Sequence, residues 1–406
     1  MKQVNSIIST YSADVFGAIS ALFELGGMIV VHDPSGCNST YTTHDEPRWF
    51  DSKTLLYISG LTEQDAILGN DRKFIDEVTE TALLQKPRFV ALLSAQMPAM
   101  LGIDLRGIAR VIEKNTKIPT FSLPTNSMRD YSIGISLALK KLADMITEKI
   151  PKVEEKPDGV NILGLTPLDF AINGTDKAIV EFFEENDVPV VAKFAMGSDL
   201  DELFKASKAK MNVVVSYGGL AAAKAMEKAW GTPYIVGLPV GRLKEKLLKI
   251  IKHNQTSILY TETQTNAPGS PEGKALWRES RGQRPLAGLG GAQQKRIYLI
   301  HESIVAASLA AAIEEEIGDK ITVVAATSTE KVLMREGDEV FEGEKELKEK
   351  FQSADLIVAD PMYQAIAGST PFIPLPHIAF SGRTYQRSIV NFVKDFERLA
   401  EKIGEG

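Results

Sequence analysis

The feature that most constrains this chain is a repeated alternation. Short, continuously apolar, β-rich runs end in Gly, Pro or Ser and lead into amphipathic helical stretches. Runs without polar alternation are what strands buried on both faces require, and helices between them supply the crossovers of parallel βαβ units. The first runs are GMIVVHDPSGC at 27–37, TLLYISGL at 54–61, RFVALLSAQMP at 88–98 and IPTFSLP at 118–124, the last followed by the helical YSIGISLALKKLADMI. Residues 151–159, PKVEEKPDG, read as a charged, proline-bearing linker. The pattern restarts with VNILGL at 160–165 and the helical TDKAIVEFFEEN. VPVVAKF, NVVVSYG and TPYIVGLPVG read as further strands, with LAAAKAMEKAW as a helix between them. It starts a third time at KRIYLIHES, 295–303, with the helix SIVAASLAAAIEEEIG and the strands KITVVAAT and ADLIVADP. A closing amphipathic helix is predicted over SIVNFVKDFERLAEKI. The fold class is therefore α/β with three Rossmann-like parallel-sheet domains: 1–150, 160–260 and 295–406.

The 406 residues suffice for two to four domains, and a chain of that length buries its cores without staples. Its single cysteine, Cys37, excludes an intramolecular disulfide, which fits a reducing compartment. The net charge of −7 comes with no basic stripe, so no nucleic-acid partner is expected. No apolar run approaches the roughly 20 residues of a membrane span, and the first residues show no secretion signal. The expected location is cytoplasmic. Residues 261–294 break the pattern, being rich in Gly, Pro, Gln and Arg, with Arg278, Arg281 and Arg284 beside Trp277. A stretch this long without periodicity is either a solvated linker or a functional loop that receives an anion.

Several common enzymatic signatures are missing. The sequence has no Gly-x-x-x-x-Gly-Lys-[Ser/Thr] loop and no His-Glu-x-x-His, and GLGG at 288–291 precedes a strand rather than following one. The five histidines (His32, His44, His253, His301, His377) show no metal-ligand spacing. What stands out is HDPSGC, His32–Cys37, at the carboxyl end of an apolar strand, where open α/β sheets bind ligands. Pro34 and Gly36 shape a tight turn. A thiolate at Cys37 can ligate iron, or the side chain can be a small buried apolar group.

These residues resemble the N-terminal region of nitrogenase component 1 subunits. STYSADVFGAISALFELGGMIVVHDPSGCNSTY is similar to the family stretch that delivers a cluster-ligating cysteine, with Asp33 in place of its usual glycine. ISGLTEQDAILGNDRKFIDEV matches the next family run at Leu61, Glu63, Asp65, Gly69 and Lys73. VALLSAQMPAMLGIDLRGIA, VNILGL, MNVVVSYGGLAAAKAMEKAWGTPYIVGLPVG, ADLIVADP and FSGRTYQRSIVNFVKDFERL follow in the family's order. The likeness covers nearly the whole chain and extends to the catalytic components of dark-operative protochlorophyllide reductase and of the nickel-sirohydrochlorin diamide cyclase.

The resemblance implies several further expectations. A [4Fe-4S] cluster would sit at a subunit interface, with Cys37 as a ligand. Asp14, Asp33 or Ser12 would add oxygen ligands, and His32, Gly36 and Glu63 would contact the cofactor. The partners would be a second component 1-type subunit, identical or related, and an ATP-hydrolysing iron protein, the sole user of ATP. The substrate would be a small molecule, tetrapyrrole-like in some relatives, held in the cleft among the domains. His377 would donate protons there and Arg383 would clamp a carboxylate. His301 reads as a hydrogen-bonded structural histidine. Glu63 and Asp65 can act as acid–base groups, though capping or interface roles suit them better.

The departures from the family pattern set limits. No cysteine stands near Ser9–Asp14 or at Ala95, Gln96 and Met97, and the cysteine that holds the nitrogenase cofactor has no counterpart. Dinitrogen reduction is therefore excluded. Two readings remain: a reductase component, or a non-catalytic scaffold that carries a cofactor or metallocluster on the same fold.

Overall fold

The computed structural model describes residues 5–34, 46–50, 54–154, 159–261, 295–341 and 343–406. Three wholly parallel sheets are formed, each from one continuous stretch of chain. The first orders its strands β2-β1-β3-β4, with β1 Met28–His32, β2 Leu55–Ile58, β3 Val90–Ser94 and β4 Thr120–Leu123. The second runs β6-β5-β7-β8-β9, with β5 Val160–Leu165, β6 Val190–Ala195, β7 Met211–Val214, β8 Tyr234–Val236 and β9 Ser257–Ile258. The third runs β12-β11-β10-β13-β14, with β10 Ile297–His301, β11 Ile321–Ala325, β12 Glu339–Val340, β13 Leu356–Ala359 and β14 Phe372–Pro374.

The central strands β1, β3, β5, β7 and β13 are buried along their whole length. That burial accounts for their uninterrupted apolar sequences. The edge strands β9, β12 and β14, two or three residues each, are too short to leave an apolar run and were not anticipated from sequence. The expected closing helix also differs. Only Phe396–Glu405 is helical at the C-terminal end. Asn391 diverts the preceding residues: its Oδ1 accepts from the N–H of Val393 (3.1 Å) and Lys394 (3.0 Å), while its own N–H donates to Asp395 Oδ2 (3.1 Å). The carbonyls of Ile389 and Val390 are held by Asn173 Nδ2 at 3.0 Å. Side-chain capping of this kind competes with helix continuation.

Three helices pack together where the first and second units meet. Helix Asp14–Leu22 crosses helix Tyr131–Lys149 with Gly17 and Gly134 at the contact. Helix Leu220–Trp230, from the second unit, also packs against Tyr131–Lys149. Among the described residues no helix is long and apolar enough to cross a membrane.

Each sheet has one switch point, where successive crossovers depart in opposite directions. These lie between β1 and β3, between β5 and β7, and between β10 and β13. The carboxyl ends of the strands on either side open the crevice in which such sheets bind ligands.

Candidate functional site

The second and third switch points face one another, and their polar residues form one buried group. Past β5, Thr166 leads into the short helix Pro167–Phe170, which carries Asp169. β10 ends in His301 and is followed by Glu302, and past β13 comes Asp360. Glu302 caps helix Ser303–Ile317: its Oε2 accepts from the N–H of Ile304 (3.0 Å) and Val305 (2.9 Å). Its Oε1 reaches across to the second sheet and accepts from Tyr217 N–H at 3.0 Å. Asp360 Oδ2 accepts from His377 N–H and from the Ser381 hydroxyl, both at 2.7 Å, which fixes the turn after β14.

That turn aims His377 at Asp169. Nε2 of His377 lies 3.1 Å from Asp169 Oδ1 and 3.2 Å from the Tyr131 hydroxyl, which itself donates to Asp169 Oδ1. The His301 ring stacks on His377 with centroids 3.9 Å apart. His301, Glu302, Asp169 and His377 are all essentially inaccessible to solvent. The Ser216 hydroxyl lies beside Asp169 and is donated to the Gly164 carbonyl at 2.7 Å, and among the described residues Asp169 Oδ2 has no hydrogen-bond partner in good geometry. Among the described residues, His377 Nδ1 and both nitrogens of His301 have no partner either. Buried polar atoms are almost always satisfied, so such a set marks a place where something else binds or titrates.

Burial governs the charges. It raises the Asp169 carboxyl to about 7, against the opposing hydrogen bond from Tyr131. It raises Glu302 to about 8, helped by the negative potential of Asp169. It lowers His377 to about 3 and pushes His301 well below its ordinary value, the neighbouring imidazole adding to the effect. Near neutrality both rings are uncharged, and the carboxyls hold protons that they would shed in water.

A cavity of about 450 Å³ adjoins this group, lined in part by Tyr11, Arg129, Asp130, Tyr363 and Phe380. The Tyr11 ring separates cavity from cluster. It lines the former and stands edge-on to His377 with centroids 5.6 Å apart.

The residues singled out in the sequence divide accordingly. His377 lies in the buried group, whereas Arg383, six residues on, is exposed beyond helix Ile378–Ser381. His301 is not the hydrogen-bonded structural histidine expected: its contact is the ring of His377, and its nitrogens are free of protein partners among the described residues. His32 ends β1 at the first switch point. Its Nδ1 is 2.8 Å from Ser59 Oγ and its ring stacks on Phe74, and burial lowers it to about 4. Glu63 is exposed in the first turn of helix Glu63–Leu68, where Thr62 caps the helix and Asp65 accepts from Thr62, Asn70 and Lys73. Gly36 and Cys37 lie outside the described residues, as do residues 262–294.

Asp14 is buried with its carboxylate engaged. It accepts from the N–H of Asn126 and Ser127 and pairs with Arg129 at 2.9 Å. Asp14→Ala would strand these donors, and the expected loss of stability in urea unfolding is about 3 kcal/mol. An unchanged midpoint would show that the 126–129 loop is held by other contacts.

Asp169, Glu302, Tyr131, Tyr11 and Asp360 were missed in the sequence. A signal existed for three of them: Asp169, Glu302 and Asp360 each follow closely after an apolar strand, as HDPSGC does.

Three parallel sheets whose second and third carboxyl ends close on one acid–imidazole cluster define a class: α/β proteins that handle ligands between domains. The particular family follows from the sequence match. The chain belongs to the nitrogenase component 1 type oxidoreductases, whose family model matches residues 14–375. Over 211 residues it is 28% identical to the nitrogenase iron-molybdenum cofactor biosynthesis protein NifE of Clostridium pasteurianum, covering 51% of this chain and 45% of that protein. Over 192 residues it is 26% identical to the nitrogenase molybdenum-iron protein alpha chain of Azospirillum brasilense, covering 45% and 39% respectively. The matched stretches thus span less than half of these relatives. The solved structure of nitrogenase Cp1 at pH 6.5 superposes on 100% of this chain and 94% of that one, with a TM-score of 0.68 and 18% identity.

An iron–sulfur cluster, the family's expected group, does not fit one copy of this chain. Such clusters take four protein ligands, usually thiolates, and the sequence contains one cysteine. Among the described residues, no three His, Cys, Asp or Glu side chains are grouped to hold a metal ion. Any cluster would need ligands from a second subunit.

Proposed function

We propose that this chain is a component 1-type reductase subunit that receives an oxidised small molecule in the cavity between its first and third units and protonates it from the acid–imidazole cluster behind Tyr11. One observation carries the reading: Asp169, raised to about 7, shares its Oδ1 with Tyr131 and His377, and only the Tyr11 ring stands between His377 and a 450 Å³ cavity. A carboxyl that holds a proton near neutral pH, next to an uncharged imidazole, is suited to general acid work. Asp360 orients His377 through its backbone, and Glu302 ties the second and third sheets together across the cluster. Arg129 and Asp130 give the cavity polar contacts, and Tyr11, Tyr363 and Phe380 give it aromatic faces. In this reading an ATP-hydrolysing iron protein-like partner, as in the family the chain belongs to, would supply the electrons.

A second reading, a carrier of a cofactor or metallocluster, is favoured by the lone cysteine and by the likeness to a cofactor biosynthesis protein. One experiment separates the two. The chain is purified anaerobically with its co-purifying subunits, assayed for iron and acid-labile sulfide, and tested for ATP-dependent oxidation of a reduced iron protein. The reductase reading expects iron that is lost in Cys37→Ala, together with ATP-dependent electron uptake. Iron without electron uptake would favour the carrier, and protein without iron would end the reductase reading.

A further inference from the structure

One wall of the cavity is a strap that the described structure attaches at only a few points. Residues 5–12 are neither helix nor strand and run from the third sheet's unit to the first. At one end, three consecutive N–H groups, of Ser6, Ile7 and Ile8, donate to Glu344 Oε2 at 2.8, 2.7 and 3.0 Å. The Ser6 hydroxyl donates to Oε1 at 2.7 Å. These bonds hold the Glu344 carboxyl down at about 2. Ile8 is buried in the third unit's core with Ile300, Val324 and Phe351. At the other end, Ser12 N–H donates to the Ala379 carbonyl and Tyr131 N–H to the Ser12 carbonyl, both at 2.8 Å. In between, Ser9 and Thr10 are exposed; the Ser9 hydroxyl donates to the Thr10 carbonyl and Asn5 Nδ2 to the Ser9 carbonyl, both at 3.4 Å and both within the strap. Tyr11 points inward, its hydroxyl 3.3 Å from that of Tyr363 and its ring against Phe380.

We propose that this strap is the gate of the cavity, with Glu344 as its latch and Tyr11 as the plug between the cavity and His377. A single carboxylate gathers all three amides at the outer end, so its loss leaves the strap held there by the Ile8 side chain and, further in, by Tyr11 and the Ser12 anchor. Moving Tyr11 removes the ring that lies between the cavity and the buried imidazole. Glu344 is then a positioning residue: it touches no ligand but sets how often the cluster meets solvent. The proposal deepens the ligand-site reading above, yet its test needs no ligand and no electron transfer, so the two can fail separately.

Hydrogen exchange and carbethoxylation by diethyl pyrocarbonate, both read by peptide mass spectrometry on the full chain, test it. In Glu344→Ala, exchange at residues 6–8 should accelerate at least ten-fold and modification of His377 should rise by a similar factor. Exchange in β5 should stay unchanged, as a check that the fold is intact. Glu344→Gln, which keeps an acceptor, should give a smaller change of the same sign. Tyr11→Ala should expose His377 while the latch amides stay protected. Faster exchange at 6–8 with His377 still protected would reduce the strap to a frayed tail. A protected His377 in Tyr11→Ala would remove the plug.

Discussion

Asp169→Asn is expected to gain stability relative to the parent protein as pH rises from about 4 to about 7. The sign follows from proton counting. In the unfolded chain Asp169 ionises near its ordinary value of 3.8, and in the fold it holds its proton to about 7. Between those limits the native state binds the extra proton, so raising pH costs native stability. Asparagine keeps the Oδ1 that accepts from Tyr131 and removes the titration. The slope is about 1.4 kcal/mol per pH unit for one proton, which places the difference on the order of 4 kcal/mol at pH 8. Glu302, raised to about 8 partly by the charge on Asp169, should shift downward in the variant and add to the gain. The histidines act at the other end: His377 and His301 are lowered, so their contribution is lost as pH falls through 6.5. Urea titrations of both proteins from pH 4.5 to 8.5 measure the difference. A difference that does not change with pH would mean that Asp169 is ionised in the fold, and the proton-donor reading would fall with it.

Gly134→Ala should be the most damaging of the small substitutions. A β-carbon at Gly134 would sit 1.7 Å from the carbonyl oxygen of Asp14 and 2.8 Å from the backbone nitrogen of Ala18. One at Gly17 would sit 1.9 Å from the carbonyl oxygen of Tyr131. The obstructing atoms are backbone, so no side chain can rotate away and the helices themselves must separate. Overpacking of this kind typically costs 1–3 kcal/mol, and a backbone clash lies at or above the top of that range. The same displacement would carry Tyr131 away from Asp169, so the variant should also lose the raised carboxyl. Gly343→Ala, at a position with open space, is the control. Chemical denaturation should show a loss of about 3 kcal/mol or more for Gly134→Ala and almost none for Gly343→Ala. Similar midpoints for the two would show that the helix crossing is softer than its geometry indicates.

The sequence disclosed the sheets more readily than the site. VNILGL coincides with β5 because a strand buried on both faces must be apolar throughout, and burial in the core is the main thing such a run records. The edge strand Phe372–Pro374 left no comparable trace, and neither did the conversion of 388–395 from helix to capped turn, which depends on Asn173 reaching in from the second unit. His377 was legible as a polar residue in an apolar context. Its partner Asp169 was not, because the two lie 208 positions apart and only the meeting of two sheets makes them neighbours. His301 shows the converse failure. A histidine after a strand suggested a satisfied structural group, yet its environment was set by a ring 76 residues downstream. The glycine pair was equally silent, since neither helix alone requires a bare α-carbon.

Because each sheet comes from one unbroken stretch, a ribosome completes them in turn, the third last. Tyr131 and Asp169 emerge long before His301, Glu302 and His377 exist to cover them. The junction is thus assembled only once the third unit has been made, and a nascent chain halted before residue 295 would contain two finished sheets without the imidazoles and the Glu302 carboxyl that complete it.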